Sequence, residues 1–341
     1  MNKIIRNFRA LIVDGNSIIG ANGYTLYKYD IITGKKEKYA KVLDKKYASL
    51  SRFFLTRRFF RAEITNLYNL NDSSDILIAK KGIFRREENS DKFYKVFDIP
   101  RGSRPMNLCV DEKNGRLYFG EYFSNFEKSE VNIYCSDDYG RNWYIAYIFE
   151  KGNINHIHGL FYDTYSYYIW VVTGDRENEC IIGYTDDSFN SFKEVFRGGQ
   201  EYRTCNLMFY KNDILFVTDS QYIQNEIKSF NRTTLEIKSL YKINGSGIYG
   251  GYIDELVYVS STIEPSKVNL DNYSHLYISK NQGKDWEDIS KYKKDIWHKS
   301  AFQFGSIQFP RYINNNSNII VYSGRALNKI GGHTVIIKCK S

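Results

Sequence analysis

The stretch CSDDYGRNW, residues 135–143, packs Ser136, Asp138, Gly140 and Trp143 into one short polar turn between two apolar runs. If this turn is construction rather than chemistry, it should recur. SKNQGKDW repeats it with Ser279, Asn281, Gly283 and Trp286, and TDDSFNSF is a looser copy with Thr185, Asp187 and Phe192, where Phe189 takes the place of the glycine. The copies start at 136, 185 and 279, so the gaps are 49 and then 94 residues, the second being two periods of 47. A fixed period of this size in β-rich sequence points to the blades of a propeller.

Composition agrees with an all-β chain. The 341 residues carry 16% aromatics, with 30 Tyr and 22 Phe but only 4 Pro. Tyr and Phe suit half-buried pleated strands. A net charge of +9 is spread along the sequence without a basic block. It reads as a solvated surface or as the complement of an acidic partner, not as a nucleic-acid arm. The N-terminal MNKIIRNFRALIVDG is too broken by Arg for a signal peptide, and no run approaches the ~18 apolar residues of a membrane span. Cys109, Cys135, Cys180, Cys205 and Cys339 are odd in number, lack metal-type spacing and sit mostly in apolar runs, so free buried thiols are expected. These features predict a cytoplasmic monomer with no membrane and no nucleic-acid partner.

The pattern S-x-D-x-G-x-x-W resembles the Asp-box, or BNR repeat, of sialidases and related propellers. The resemblance implies a turn between the third and fourth strands of a blade, on the face opposite the ligand. Its construction is local: the carboxylate accepts backbone N–H groups, glycine takes a left-handed conformation and the aromatic ring packs beneath.

Dividing the whole chain, 1–341, at that period gives seven units of up to four strand-like runs, read as a single seven-bladed propeller domain; six blades with an insertion is the alternative. The last unit, FGSIQF, NIIVYSG, HTVIIKC, stops one strand short. The N-terminal KIIRNF is left over, and pairing it with the last unit would close the ring and hide an open edge.

The resemblance also implies where ligands bind: at the lead-in to each innermost strand and in the loop after each second strand. Those positions hold an unusually polar set. The lead-ins carry Arg58, Arg61, Arg101, Arg104, His156, His158, Gln200, Arg203, Tyr249, Gln303 and Ser306. The second-strand ends carry Glu121, Asp175, Glu177, Glu179, Asp219, Thr262, Glu264 and Arg325. We take His158, His156, Glu121, Asp175 and Asp219 as catalytic candidates, and Arg61, Arg104, Gln200, Arg203, Tyr249, Glu264 and Arg325 as substrate-binding ones.

A mouth converging guanidinium, carboxylate and imidazole groups is the anatomy of a polar-ligand site. The family resemblance implies a carbohydrate-active enzyme on an acidic oligosaccharide or polysaccharide, with arginines on the sugar carboxylate. Arg58 and Arg61 sit in FRAE, which only echoes the sialidase Phe-Arg-Ile-Pro motif, and no Tyr–Glu pair can be assigned, so a true sialidase is not expected. A polysaccharide lyase would use His158 or His156 with Tyr202 or Tyr249. A glycoside hydrolase would use Glu121 with Asp175 or Asp219. The sequence does not rank them, and a non-catalytic glycan-binding or scaffolding propeller is the alternative. No organic cofactor is called for. His156 and His158, flanking one residue, raise a metal site, but no HExxH or Cys–His pattern accompanies them, so none is assigned.

Overall fold

The computed structural model describes residues 3–314 and 319–339. Its strands follow one another as antiparallel four-strand meanders. The first comprises Arg9–Asp14, Ser17–Asn22, Thr25–Asp30 and Lys36–Val42, and the second Asn66–Asn69, Asp75–Ala79, Gly82–Arg86 and Lys92–Asp98. The third runs Cys109–Asp111, Arg116–Gly120, Val131–Ser136 and Tyr144–Phe149. The fourth runs His156–Tyr162, Ile169–Gly174, Cys180–Thr185 and Lys193–Gly198. Next come Thr204–Phe209, Asp213–Thr218, Glu226–Asn231 and Ile237–Lys242, then Ser246–Ile253, Leu256–Ile263, Tyr273–Ser279 and Glu287–Lys293.

The last group takes only Gly305–Gln308, Ile319–Arg325 and Thr334–Lys338 from the C-terminal part of the chain. Lys3–Ile5 supplies its fourth strand, with Lys3 opposite Ile336 and Ile5 opposite Thr334. The leftover N-terminal run therefore covers the edge that the last group would otherwise expose.

Burial follows from stacking sheet against sheet. Second strands such as DILIA (Asp75–Ala79) and IWVVTG (Ile169–Gly174) are buried at every position. Outermost strands such as Lys193–Gly198 stay half in solvent. The apolar clusters lie between consecutive meanders. Ile76, Ile78 and Ile83 of the second pack with Leu117 and Phe119 of the third. Trp170 and Val172 of the fourth pack with Phe216 and Phe230 of the fifth. The series returns on itself, because Val13 and Ile18 of the first meander share a cluster with Val321 and Ile336 of the last. Each such side chain contributes about 1.5–3 kcal/mol on full burial.

The three turns share one hydrogen-bond pattern. Ser136 Oγ donates to Asp138 Oδ1 at 2.8 Å, and that oxygen accepts from the amides of Arg141 (3.0 Å) and Asn142 (2.8 Å). Trp143 Nε1 closes the turn onto the Gly140 carbonyl at 3.1 Å. Ser279, Asn281, Gly283 and Trp286 repeat these contacts. Thr185 and Asp187 repeat the hydroxyl and amide contacts but not the indole one, since Phe192 has no N–H, and Phe189 is held at φ 72° where the others have glycine at φ 85°. Position 140 also faces the neighbouring meander, since a Cβ there would stand 2.4 Å from Ile76 Cδ1. Gly283 stands in the same relation to Leu215.

Two features were not expected from the strand pattern. A short helix, Phe54–Phe60, precedes the second meander and ends on Arg61 in the left-handed region at φ 54°. Arg311–Asn314 pairs in parallel with Arg9–Asp14, across the seam between the last and first groups. Cys109, Cys135, Cys180 and Cys205 are free and buried, as their apolar settings suggested.

Candidate functional site

Antiparallel pairing decides which ends of the strands gather. Innermost strands begin and second strands finish at one end of the molecule, whereas the three repeated turns, which follow third strands, fall at the other. At the first end lies a cavity of ≈ 390 Å³. Its lining charges divide by their position in the chain.

The first, third and last meanders supply arginines. Arg9 opens the first innermost strand, Arg104 lies in the loop leading to the third meander and Arg325 closes a second strand of the last. Arg9 Nη1 and Arg104 Nη2 lie 3.7 and 3.9 Å from Glu63 Oε1, which also accepts from Gln303 Nε2 at 3.4 Å. Arg325 Nη2 donates to the Tyr249 hydroxyl at 2.9 Å. Two guanidinium groups thus pair with one carboxylate, and a third, Arg325, adds its field. Nη1 of Arg9, Nη1 of Arg104 and Nε of Arg325 are buried without a hydrogen-bond acceptor. Burial, reinforced by Arg325 and Arg9 and only partly opposed by Glu63, draws Arg104 down to about 10. Burial pushes Glu63 up, but Arg9, Arg104 and Arg325 together hold it below the usual range. Donors outnumber acceptors on this wall, a chemistry that suits an anion.

The fourth to sixth meanders supply carboxylates from the loops after their second strands: Asp175, Asp219 and Glu264. Arg203 joins the first two, with Nη2 2.9 Å from Asp175 Oδ1 and 3.6 Å from Asp219 Oδ2. Glu264 accepts from Gln221 Nε2 at 2.8 Å and Ser246 Oγ at 3.2 Å. Burial, and then the charge of Asp219, raise it to about 7. Cys205 Sγ lies 3.4 Å from Asp219 Oδ2, and burial followed by that carboxylate pushes its thiol far up.

His156 and His158 project from the start of the fourth innermost strand. Their Nδ1 atoms meet the carbonyls of Phe123 (3.1 Å) and Thr204 (3.0 Å), and a carbonyl can only accept, so each Nδ1 carries hydrogen. The Nε2 atoms lie 3.2 Å apart and face Asp175. The Tyr122 ring packs against that of His156, tilted by 56° with the ring centres 4.3 Å apart. Two groups have the donor chemistry of a metal site: His156 with His158 and Asp175, and His158 with Cys205 and Asp219.

No protein-family profile matches the chain, and no curated protein matches it in sequence. Solved structures do match in shape. A GH74 enzyme of Niastella koreensis superposes with a TM-score of 0.56 at 13% identity, over 82% of this chain and 45% of that one. A chain of the mitotic checkpoint complex gives 0.57 at 9% identity, covering 99% and 94%. A chain of the nidogen–laminin complex gives 0.52 at 8%, covering 90% and 97%. The fold is β-propeller-like.

Of the predicted residues, the propeller brings Arg61, Arg104, His158, Asp175, Arg203, Asp219, Tyr249, Glu264 and Arg325 to the cavity wall. His156 lies directly behind His158. Gln200 does not line the cavity; its Nε2 donates to the Asp175 carbonyl at 2.8 Å and its Oε1 accepts from Ser220, so it positions the Asp175 loop. Glu121 is buried away from the cavity, accepting from Arg101 Nε at 2.8 Å and the Asn132 amide at 2.9 Å. Arg58 is turned inward by the helix onto Asp295 Oδ2 at 2.6 Å and the Phe302 carbonyl at 2.7 Å. Arg9 and Glu63 were missed. Applying the lead-in rule to the first meander as well would have found Arg9.

Proposed function

We propose that the protein is a carbohydrate-active enzyme that binds an acidic oligosaccharide or polysaccharide in the cavity of a seven-bladed propeller spanning the chain. The seven-blade reading takes each four-strand meander as a blade and Lys3–Ile5 as the strand that closes the ring. One observation carries the functional reading: one cavity is lined by three arginines whose charge is met by a single buried carboxylate, Glu63, and, elsewhere on its wall, by a carboxyl group raised to about 7 beside a second carboxylate. Arg9, Arg104 and Arg325 would hold the sugar carboxylate through charge-assisted hydrogen bonds. Glu264, protonated for part of the time at neutral pH, would give a proton to a leaving oxygen, with Asp219 as the second carboxyl group of the pair. A raised carboxyl group with a second carboxyl group beside it supports a glycoside hydrolase. The likeness in fold to a GH74 enzyme is compatible with this reading and does not reach to substrate.

The test is incubation of the purified protein with a panel of acidic and neutral oligosaccharides, following reducing ends and the absorbance of unsaturated uronate. Reducing ends without absorbance, abolished in Glu264→Gln and weakened in Arg104→Gln, are the expected result. Absorbance would replace the hydrolase with a lyase. A melting-temperature rise without turnover would leave a binding platform.

A further inference from the structure

We propose that His156, His158 and Asp175 form a binding site for one divalent transition-metal ion, best fitted by Zn²⁺, at the wall of the propeller cavity. The argument begins with tautomers. Both Nδ1 atoms donate to backbone carbonyls, so each neutral ring presents a bare lone pair at Nε2. Those two lone pairs point at each other across 3.2 Å and at the Asp175 carboxylate, with Oδ1 3.3 Å from His158 and Oδ2 3.4 Å from His156. Four electron-rich atoms, two nitrogens and the two oxygens of one carboxylate, face one another with no hydrogen of their own to place between them.

The distances suit an ion at that point. Ligands about 2.0–2.1 Å from a tetrahedral Zn²⁺ stand about 3.3 Å from one another. The two nitrogens here stand 3.2 Å apart, and each has a different oxygen of the Asp175 carboxylate near it, at 3.3 Å for His158 and 3.4 Å for His156, so the carboxylate faces the ion with both oxygens. Imidazole nitrogens with one carboxylate are also a donor set that zinc accepts.

The surroundings are built to hold the ligands in place. The two carbonyls fix the rings. Asn155 Nδ2 donates to Asp175 Oδ2 at 2.8 Å, Arg203 Nη2 lies 2.9 Å from Oδ1, and Gln200 secures the Asp175 carbonyl. Charge balances as well. Asp175, Asp219 and Glu264 face one guanidinium, Arg203, on this side of the cavity, so a dication neutralises an acidic surplus. Among the described residues no fourth His, Cys, Asp or Glu joins this group. The remaining corner is therefore left for water or a substrate oxygen, and the sugar carboxylate or hydroxyls are the chemistry that would reach it. The site does not depend on the glycosidase reading, and its test uses no sugar.

The test is to dialyse the full chain against a chelator, titrate it with Zn²⁺ and with Co²⁺, and measure bound metal by plasma mass spectrometry alongside the visible spectrum. The expected result is one equivalent of zinc per chain and intense visible bands of four-coordinate cobalt. Affinity should fall at least tenfold in His158→Gln and Asp175→Asn, while the exposed His298→Gln matches wild type. The wild-type cobalt spectrum decides the matter if the buried variants do not fold. Less than about a tenth of an equivalent bound, a six-coordinate cobalt spectrum, or equal binding by folded Asp175→Asn overturns the proposal; the three groups would then be sharing a proton.

Discussion

Gly174 ends a second strand directly against the imidazole of His158: a Cβ at position 174 would stand 2.4 Å from Cε1 and 3.1 Å from both ring nitrogens. The ring cannot retreat without leaving the Thr204 carbonyl that orients it. Gly174→Ala therefore forces either the strand or the ring to move. Overpacking of this kind costs about 1–3 kcal/mol. Urea denaturation should show that loss, and the imidazole proton resonances of His158 should shift.

Glu63 is the carboxylate that pairs with Arg9 and Arg104 and lies in the field of Arg325. Glu63→Gln removes it and leaves like charges buried together. Breaking a buried pair from one side costs about 3–5 kcal/mol. The loss should be reversed in part by millimolar galacturonate or another small carboxylate, measured as a larger rise in melting temperature for the variant than for wild type. No such difference would mean that the arginines do not form an anion socket.

Arg104→Gln asks the complementary question of affinity. A hydrogen bond to a charged group is worth about 1.5–3 kcal/mol, so binding of an acidic oligosaccharide should weaken about 10- to 150-fold. A neutral oligosaccharide of the same length should lose little. Calorimetry on the matched pair reads the difference directly.

The repeated turn makes a contrasting case. Asp138 accepts from the amides of Arg141 and Asn142 and from Ser136 Oγ, at the end of the molecule remote from the cavity. Asp138→Ala should cost about 1–3 kcal/mol through the buried Ser136 hydroxyl and the two orphaned amides. Ligand affinity and metal content should stay at wild-type values, as calorimetry on the still-folded variant would show. A parallel loss of binding would mean that the two ends are coupled.

What could be read from residues alone divides along physical lines. Strand order was legible because meander pairing is local and the turn at 136, 185 and 279 keeps a regular spacing. Asp175, Asp219, Glu264 and Arg325 followed, since each lies at or just beyond the end of a second strand. Arg9 was not seen because the lead-in rule was not carried to the first meander; its partners, Glu63 and Thr65, lie in the lead-in to the second. Glu121 had the same sequence signature as Asp175, but Arg101 from the preceding loop occupies it, and no pattern announces such a pair. The third donor beside His156 and His158 comes from the next strand's loop. The helix Phe54–Phe60 was hidden by its composition, because FLTRRFF carries no polar–apolar period.

Glu264 makes the pH dependence calculable in sign. Its carboxyl is raised from 4.5 to about 7 by burial and by Asp219, so the folded chain keeps a proton that the unfolded chain releases. The stabilisation from that proton is fully present below about pH 4.5 and is lost as pH rises through about 7. The loss is on the order of 3 kcal/mol. Glu264→Gln, which imitates the protonated acid and keeps the partners Gln221 and Ser246, should match wild type near pH 4 and exceed it by that order at pH 8. The same carboxyl group should set an alkaline limb near pH 7 in any wild-type turnover, and Glu264→Gln should lack that turnover at every pH. Denaturation curves at several pH values test the first claim without a substrate. If wild type and Glu264→Gln lose stability in parallel from pH 4.5 to 8, the raised carboxyl is not there, and Glu264 is no proton donor.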